Sequence, residues 1–219
     1  MSQVVGRVGW VKPPLQSRSQ QSLERMLDAA EEIIVEKGFE GATVAEIVRR
    51  SGTSVGAFYG RFGEKEALLS CLHDRFTSEA IATTDVVLDP TRWEDSSITE
   101  ILGETIPFLV EVYRAKTGLI RAFIAKGCAD DEFCKRWLPL NAHLVGRLRD
   151  LILARAETIE HPDPSLAIQV GLQMILSTLD RLTLFRVSEA EIIELDDARL
   201  PGELVRCFLS YLGITSRTC

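Results

Sequence analysis

Thr43, Thr53, Ser54, Tyr59, Arg61 and Lys65 put four hydroxyls, a guanidinium and an ammonium into one short stretch of the chain. None stands beside a base that would make it a nucleophile. All can donate hydrogen bonds to phosphate oxygens, and Thr53, Ser54 and Arg61 can also address base edges. Val55 and Ala57, between them, offer methyl groups suited to thymine methyls. The chemistry this spacing supports is recognition rather than bond-making.

The elements that must position these groups are short helices. Thr43 and Glu46 form a T-x-x-E capping box, which predicts a helix to about Arg50 with Val44, Ile47 and Val48 inward. Ala42 and Ile47 stand at staple positions. Gly52 suits a turn that needs positive φ. Ser54 is the natural N-cap of a second helix from Val55 to about Arg61. Phe58 and Phe62, four apart, anchor that helix, and Tyr59 points elsewhere. Gly63 ends it, and Lys65 opens a third helix whose ammonium and first-turn amides face an anion. Upstream, Leu23, Met26, Leu27, Ala30, Ile33 and Ile34 recur at helical spacing, with Gly38 and Phe39 as the stop. Arg49 and Arg50 read as a solvated helix end. Two short helices around a Gly-containing turn make a helix-turn-helix.

Gly38, Phe39, Thr43, Ile47, Gly52, Ser54, Gly56, Tyr59, Phe62, Lys65, Glu66 and Leu68 together resemble the N-terminal domain of the TetR family of bacterial transcriptional regulators, over roughly residues 22–72. The remaining two thirds resembles that family only in being helical. The resemblance implies DNA contacts from Thr43, Thr53, Ser54, Val55, Gly56, Ala57, Tyr59, Arg61 and Lys65. It also implies a homodimer and a small-molecule effector. Ser51 stands where family members usually carry Ala, Val55 where Lys or a small residue is frequent, and Arg61 where many have His or Tyr. The last change adds a phosphate or base contact.

The formal net charge of −7 looks wrong for a DNA binder, but its distribution explains it. Residues 1–75 hold ten Lys/Arg and ten Asp/Glu, so all the excess acidity lies beyond them. Local potential governs binding, and a neutral head implies a shallow salt dependence. With 219 residues, 46% of them hydrophobic, the chain can bury a sizeable core. No apolar run reaches membrane-spanning length and no secretory h-region opens the chain, so a soluble cytoplasmic protein is expected. Cys71, Cys128, Cys134, Cys207 and Cys219 form no C-x-x-C pair and read as free, buried or incidental thiols, with a redox pair at Cys128 and Cys134 as the alternative. No metal site, cofactor motif or catalytic set is visible, and no cofactor is expected.

The expected fold is all-α: a flexible arm over 1–18, a three-helix DNA-binding domain with the helix-turn-helix over 19–65, and a helical ligand-binding and dimerisation domain over 66–219. Within the last, helices are predicted over 66–83, 97–114, 118–126, 139–158, 165–186 and from Pro201 to a stop at Gly213. Asp89-Pro90 marks a loop, and Pro107 should kink or split its helix and open a cavity wall. Glu189 to Asp197 reads as an acidic loop. Trp93, Phe108, Tyr113, Phe123, His143, Met174 and Asp180 are candidate lining residues for an apolar or amphipathic effector. The last two long helices are apolar on more than one face, which suits an isologous four-helix dimer interface.

These expectations converge on a ligand-responsive repressor, not an enzyme, released from a palindromic operator when effector acts on the helix beginning near Glu66. A protein-interaction adaptor is the main alternative, and an all-helical enzyme using His143 or Asp180 a more remote one.

Overall fold

The computed structural model describes residues 18–185 and 198–214, and every described element is helical. Residues 1–17 of the arm expected over 1–18 and the acidic loop at 189–197 lie outside the described residues, and Arg18 already belongs to the first helix. Ten α-helices follow in order: α1 Arg18–Gly41, α2 Val44–Ser51, α3 Val55–Phe62, α4 Lys65–Val87, α5 Ile98–Ala115, α6 Thr117–Ala129, α7 Asp131–Lys135, α8 Leu138–Leu153, α9 Pro164–Phe185 and α10 Leu200–Tyr211. Short 3₁₀ turns occupy Pro90–Arg92 and Ala156–Thr158.

The described chain divides into two compact units. One comprises 18–80 with 116–138, the other 81–115 with 139–185 and 198–214. The division falls within α4. It differs from the functional boundary read in the sequence at residue 65, because α6 and α7 share a unit with the helix-turn-helix.

In the first unit, α1 supplies the floor. Met26, Leu27, Ala30, Ile33 and Ile34 are buried with Ile47 of α2, Phe58 of α3 and Leu68, Leu69 and Leu72 of α4. Such burial contributes roughly 1.5–3 kcal/mol per large apolar side chain, which outweighs the weak intrinsic stability of eight-residue helices. Gly118 lets α6 lie close on α1: a Cβ there would stand 2.7 Å from the Ile34 carbonyl oxygen. Arg75 of α4 fixes the other side through Glu24, Asp28 and Glu31 at 3.1, 2.7 and 2.6 Å, and Lys116 reaches Glu31 as well. The acids of α1 are thus largely committed to ion pairs within the unit.

In the second unit the core gathers Trp93, Ile101, Leu102, Ile106, Ile152, Ile168 and Leu172, joined by Phe208 of α10. The Trp93 indole N–H donates to the Val87 carbonyl at 2.8 Å. Asp89 caps the turn after α4 by accepting from the Thr91 amide, so the expected loop contains a 3₁₀ turn. Pro107 does not split α5, which runs continuously from Ile98 to Ala115. The helix expected over 139–158 ends as α-helix at Leu153 and finishes in the 3₁₀ turn. Asp163 accepts from the Leu166 amide at 3.0 Å and caps α9, with Pro164 as its first residue. The expected stop after α10 is present at Gly213, with φ 76°.

Candidate nucleic-acid interface

The turn between α2 and α3 is built locally. Gly52 takes φ 64°, ψ 34°, and its N–H donates to the Arg49 carbonyl while the Thr53 N–H donates to that of Val48 at 3.0 Å. This is the Schellman closure, and its left-handed residue favours glycine. Ser51, buried beneath the turn, donates to the Val48 carbonyl and shares a 2.7 Å hydrogen bond with Thr53 Oγ1. The departure to Ser at this position therefore adds an internal tie, and it engages the Thr53 hydroxyl. Ser54 caps α3 by accepting from the Ala57 amide at 3.1 Å.

Phe58 and Phe62 are buried and pack ring to ring at 4.8 Å. That pair fixes the roll of α3. Val55 and Tyr59, each 50% exposed, then face outward. Tyr59 makes an edge-to-face contact with Phe58 at 5.5 Å. Ser54, Gly56, Ala57, Gly60 and Arg61 are exposed beside them, and Thr53 is half-buried. A Cβ added at Gly60 would meet nothing within 4 Å.

Several side chains behave differently from the sequence expectation. The Thr43 hydroxyl accepts from the Glu46 amide at 3.3 Å, but the Glu46 carboxylate does not return to cap Thr43. It pairs instead with Lys37 at 2.8 Å and lies within reach of Arg49 and Arg50. These cations hold the Glu46 carboxyl below its ordinary pKa, the Lys37 hydrogen bond most. Lys65 does not extend toward solvent. Its ammonium donates to the Glu40 carbonyl at 3.3 Å and lies 4.4 Å from the Phe39 ring centre. Both partners belong to α1, so Lys65 locks the head together. Arg50 is taken up by Glu36 at 2.7 and 3.0 Å, and Arg49 remains highly exposed.

Residues 26–71, which carry this whole arrangement, match the family model described as bacterial regulatory proteins, tetR family. This segment is thereby similar to the DNA-binding domain of that family. The HTH-type transcriptional regulator YvdT of Bacillus subtilis (strain 168), itself uncharacterized, is 36% identical over 58 residues, 26% of this chain and 30% of YvdT. The HTH-type transcriptional repressor AcnR of Corynebacterium glutamicum is 26% identical over 140 residues, 64% of this chain and 57% of AcnR. The chain thus spans less than two thirds of the length of the curated relatives it matches. A bacterial regulatory protein in the tetR family from Rhodococcus RHA1 shares the fold, with a TM-score of 0.63 at 18% identity over 92% of this chain and 100% of that one.

The seven effector candidates do not gather in one place. Tyr113 on α5 and Asp180 on α9 are joined directly, the phenol donating to Asp180 Oδ1 at 2.9 Å. Burial pushes both pKa values up. Trp93 is sealed in the core of the second unit, Phe108 packs at the edge of that core, and Met174 is exposed. His143 pairs with Asp85 at 2.9 Å. Phe123 belongs to the other unit, in an aromatic cluster with His73, Phe76, Phe133 and Trp137. Residue type offered these side chains as a lining, but it carries no information on which neighbours they meet. Cys128 and Cys134, read as buried or incidental thiols, are exposed. Among the described residues no group of three metal-ligating side chains occurs, and no helix is long and apolar enough to cross a membrane.

Proposed function

We propose that this chain is a homodimeric, ligand-responsive transcriptional regulator that binds a palindromic DNA operator in the cytoplasm and is released by a small molecule. The observation that carries this is the roll of α3: Phe58 and Phe62 are buried while Ser54, Val55, Ala57, Tyr59 and Arg61 face outward. A helix held in this manner can enter a major groove, with Tyr59 and Arg61 reaching phosphate or base edges and Val55 and Ala57 meeting thymine methyls. Thr43, Thr53, Gly56 and Lys65 complete the proposed contact set. Lys65, docked on Glu40, contributes through the first-turn amides of α4. On this reading 19–65 reads DNA, 1–18 is an arm beside it, and 66–219 binds effector and partner. The name of AcnR, a repressor, supports the sign of regulation.

The dimer is assigned to α9 and α10. Leu166, Met174 and Phe185 on α9 and Tyr211 on α10 are large apolar side chains left exposed. Pairing with a second copy would cover them isologously. Two heads related by a two-fold axis would then meet half-sites about one DNA turn, ~34 Å, apart.

Selection of bound duplexes from a random DNA pool tests the proposal. Recovery of an inverted repeat with half-sites about one turn apart is the expected result. Retention of no duplex, even at low salt, would refute it and leave a protein-interaction module as the better reading.

A further inference from the structure

Asp180 is a carboxylate without a cation. Its partner is the Tyr113 phenol at 2.9 Å, and no described Lys, Arg or His pairs with it. The neighbouring cations are engaged elsewhere: Arg181 lies 5.1 Å from the Phe185 ring, and Arg114 pairs with Glu111 at 2.5 Å. A carboxylate can accept about four hydrogen bonds, and Tyr113 supplies one. Half-buried as it is, Asp180 bears a desolvation cost that burial writes into its raised pKa. Around the pair, helical spacing sets Leu109 and Val110 one turn before Tyr113, and Leu176 and Leu184 one turn either side of Asp180. A half-buried carboxylate whose described partner is a phenol, on helices rich in Leu and Val, is matched by a positive donor on an apolar body. An anion would be repelled, and a neutral alcohol would add a hydrogen bond but no charge.

We propose that Asp180, oriented by Tyr113, is the polar anchor of the effector site, and that the effector is an organic cation with an apolar body. This rests on the reading of the body as effector-binding, and it narrows that reading to one chemical class.

Calorimetric titration of the full chain with octylammonium, octanol and octanoate, all well below micelle-forming concentrations, tests it. Octylammonium should bind at least about tenfold more tightly than either counterpart. Asp180→Asn should remove that preference while leaving octanol binding unchanged, and Asp180→Glu should restore most of it. Tighter binding of octanoate or octanol, no binding of octylammonium, or an unaltered preference in Asp180→Asn would each overturn the proposal. If Asp180→Asn does not fold, the ranking of the three probes on the unaltered protein decides. Duplex selection is a separate readout, so a chain that selects an operator but ignores octylammonium loses this proposal and keeps the regulatory one.

Discussion

On the proposed reading Tyr59 has two roles on one ring. Its ring packs at right angles to that of Phe58, and half of the residue is exposed. Tyr59→Phe should therefore leave stability nearly unchanged and weaken DNA retention several-fold, read by gel shift against a selected duplex. Equal retention would remove Tyr59 from the contact set. Gly60 gives the complementary test. It sits inside α3 with open space where a Cβ would be. Gly60→Ala should stabilise the protein by about 0.5–1 kcal/mol through helix propensity, measured by denaturant unfolding. If that face meets DNA closely, the same change should reduce operator affinity, so stability and binding move in opposite directions. His73 makes a third residue-scale case. It is 1% exposed, neither ring nitrogen has a hydrogen-bond partner, and Phe123, Phe133 and Trp137 surround it at 5.0–5.1 Å. Burial lowers its pKa below 6.5, with Asp74 at 3.9 Å opposing the shift and Arg136 adding to it. A depressed base favours the folded state in its neutral form. That contribution is present above the unfolded pKa of about 6.5 and is lost as pH falls through the folded value. Melting temperature should drop on acidification from pH 7 to 5, and His73→Phe should flatten that dependence. An unchanged slope in the variant would assign the acid sensitivity to other groups.

At the scale of elements, local signals carried furthest. Thr43, Gly52, Ser54 and Gly63 bound α2 and α3 where their chemistry dictates, because caps and turns are decided within four residues. Ser54→Ala should cost about 1 kcal/mol of stability. What the sequence did not disclose was pairing across elements. Glu46 finds Lys37, and Lys65 finds Glu40 and Phe39, because α1 passes beside both, and spacing along one helix says nothing of that. The five residues of α7 are too few to show a period. Its Phe133 nevertheless helps bury His73. Pro107 does not split α5, which continues through it. Gly171 on α9 was silent in the sequence, yet the Phe208 ring of α10 occupies the place of its missing Cβ, 2.1 Å away. Gly171→Ala must displace that ring. The expected cost is about 1–3 kcal/mol of overpacking, seen as a lowered unfolding midpoint. If α9 and α10 form the dimer face, dissociation at low protein concentration should accompany it.

For the whole molecule, the decisive quantity is how few cations the head offers to phosphate. The chain carries net −7, with residues 1–75 neutral. The structure reduces the supply further. Arg75, Lys116, Lys37 and Arg50 are committed to acids, and Lys65 to a carbonyl. Among the described residues, Arg49 and Arg61 are exposed at the end of α2 and in α3, Arg49 standing 3.8 Å from Glu46. If both turn to phosphate on binding in the proposed dimer, two per protomer neutralise about four phosphates, for a log–log salt slope near −4. Specificity must then lean on shape, methyl contacts and backbone amides more than on charge. Measuring operator affinity by fluorescence anisotropy from 50 to 300 mM KCl tests this. A slope close to −4 fits the described head alone. A slope of −6 to −8 that shrinks on deleting residues 1–17 would place Arg7 and Lys12 on the DNA backbone. A steep slope unaffected by that deletion would mean that the ion pairs of α1 open on binding, and that the charge pattern of the unbound chain does not describe the complex.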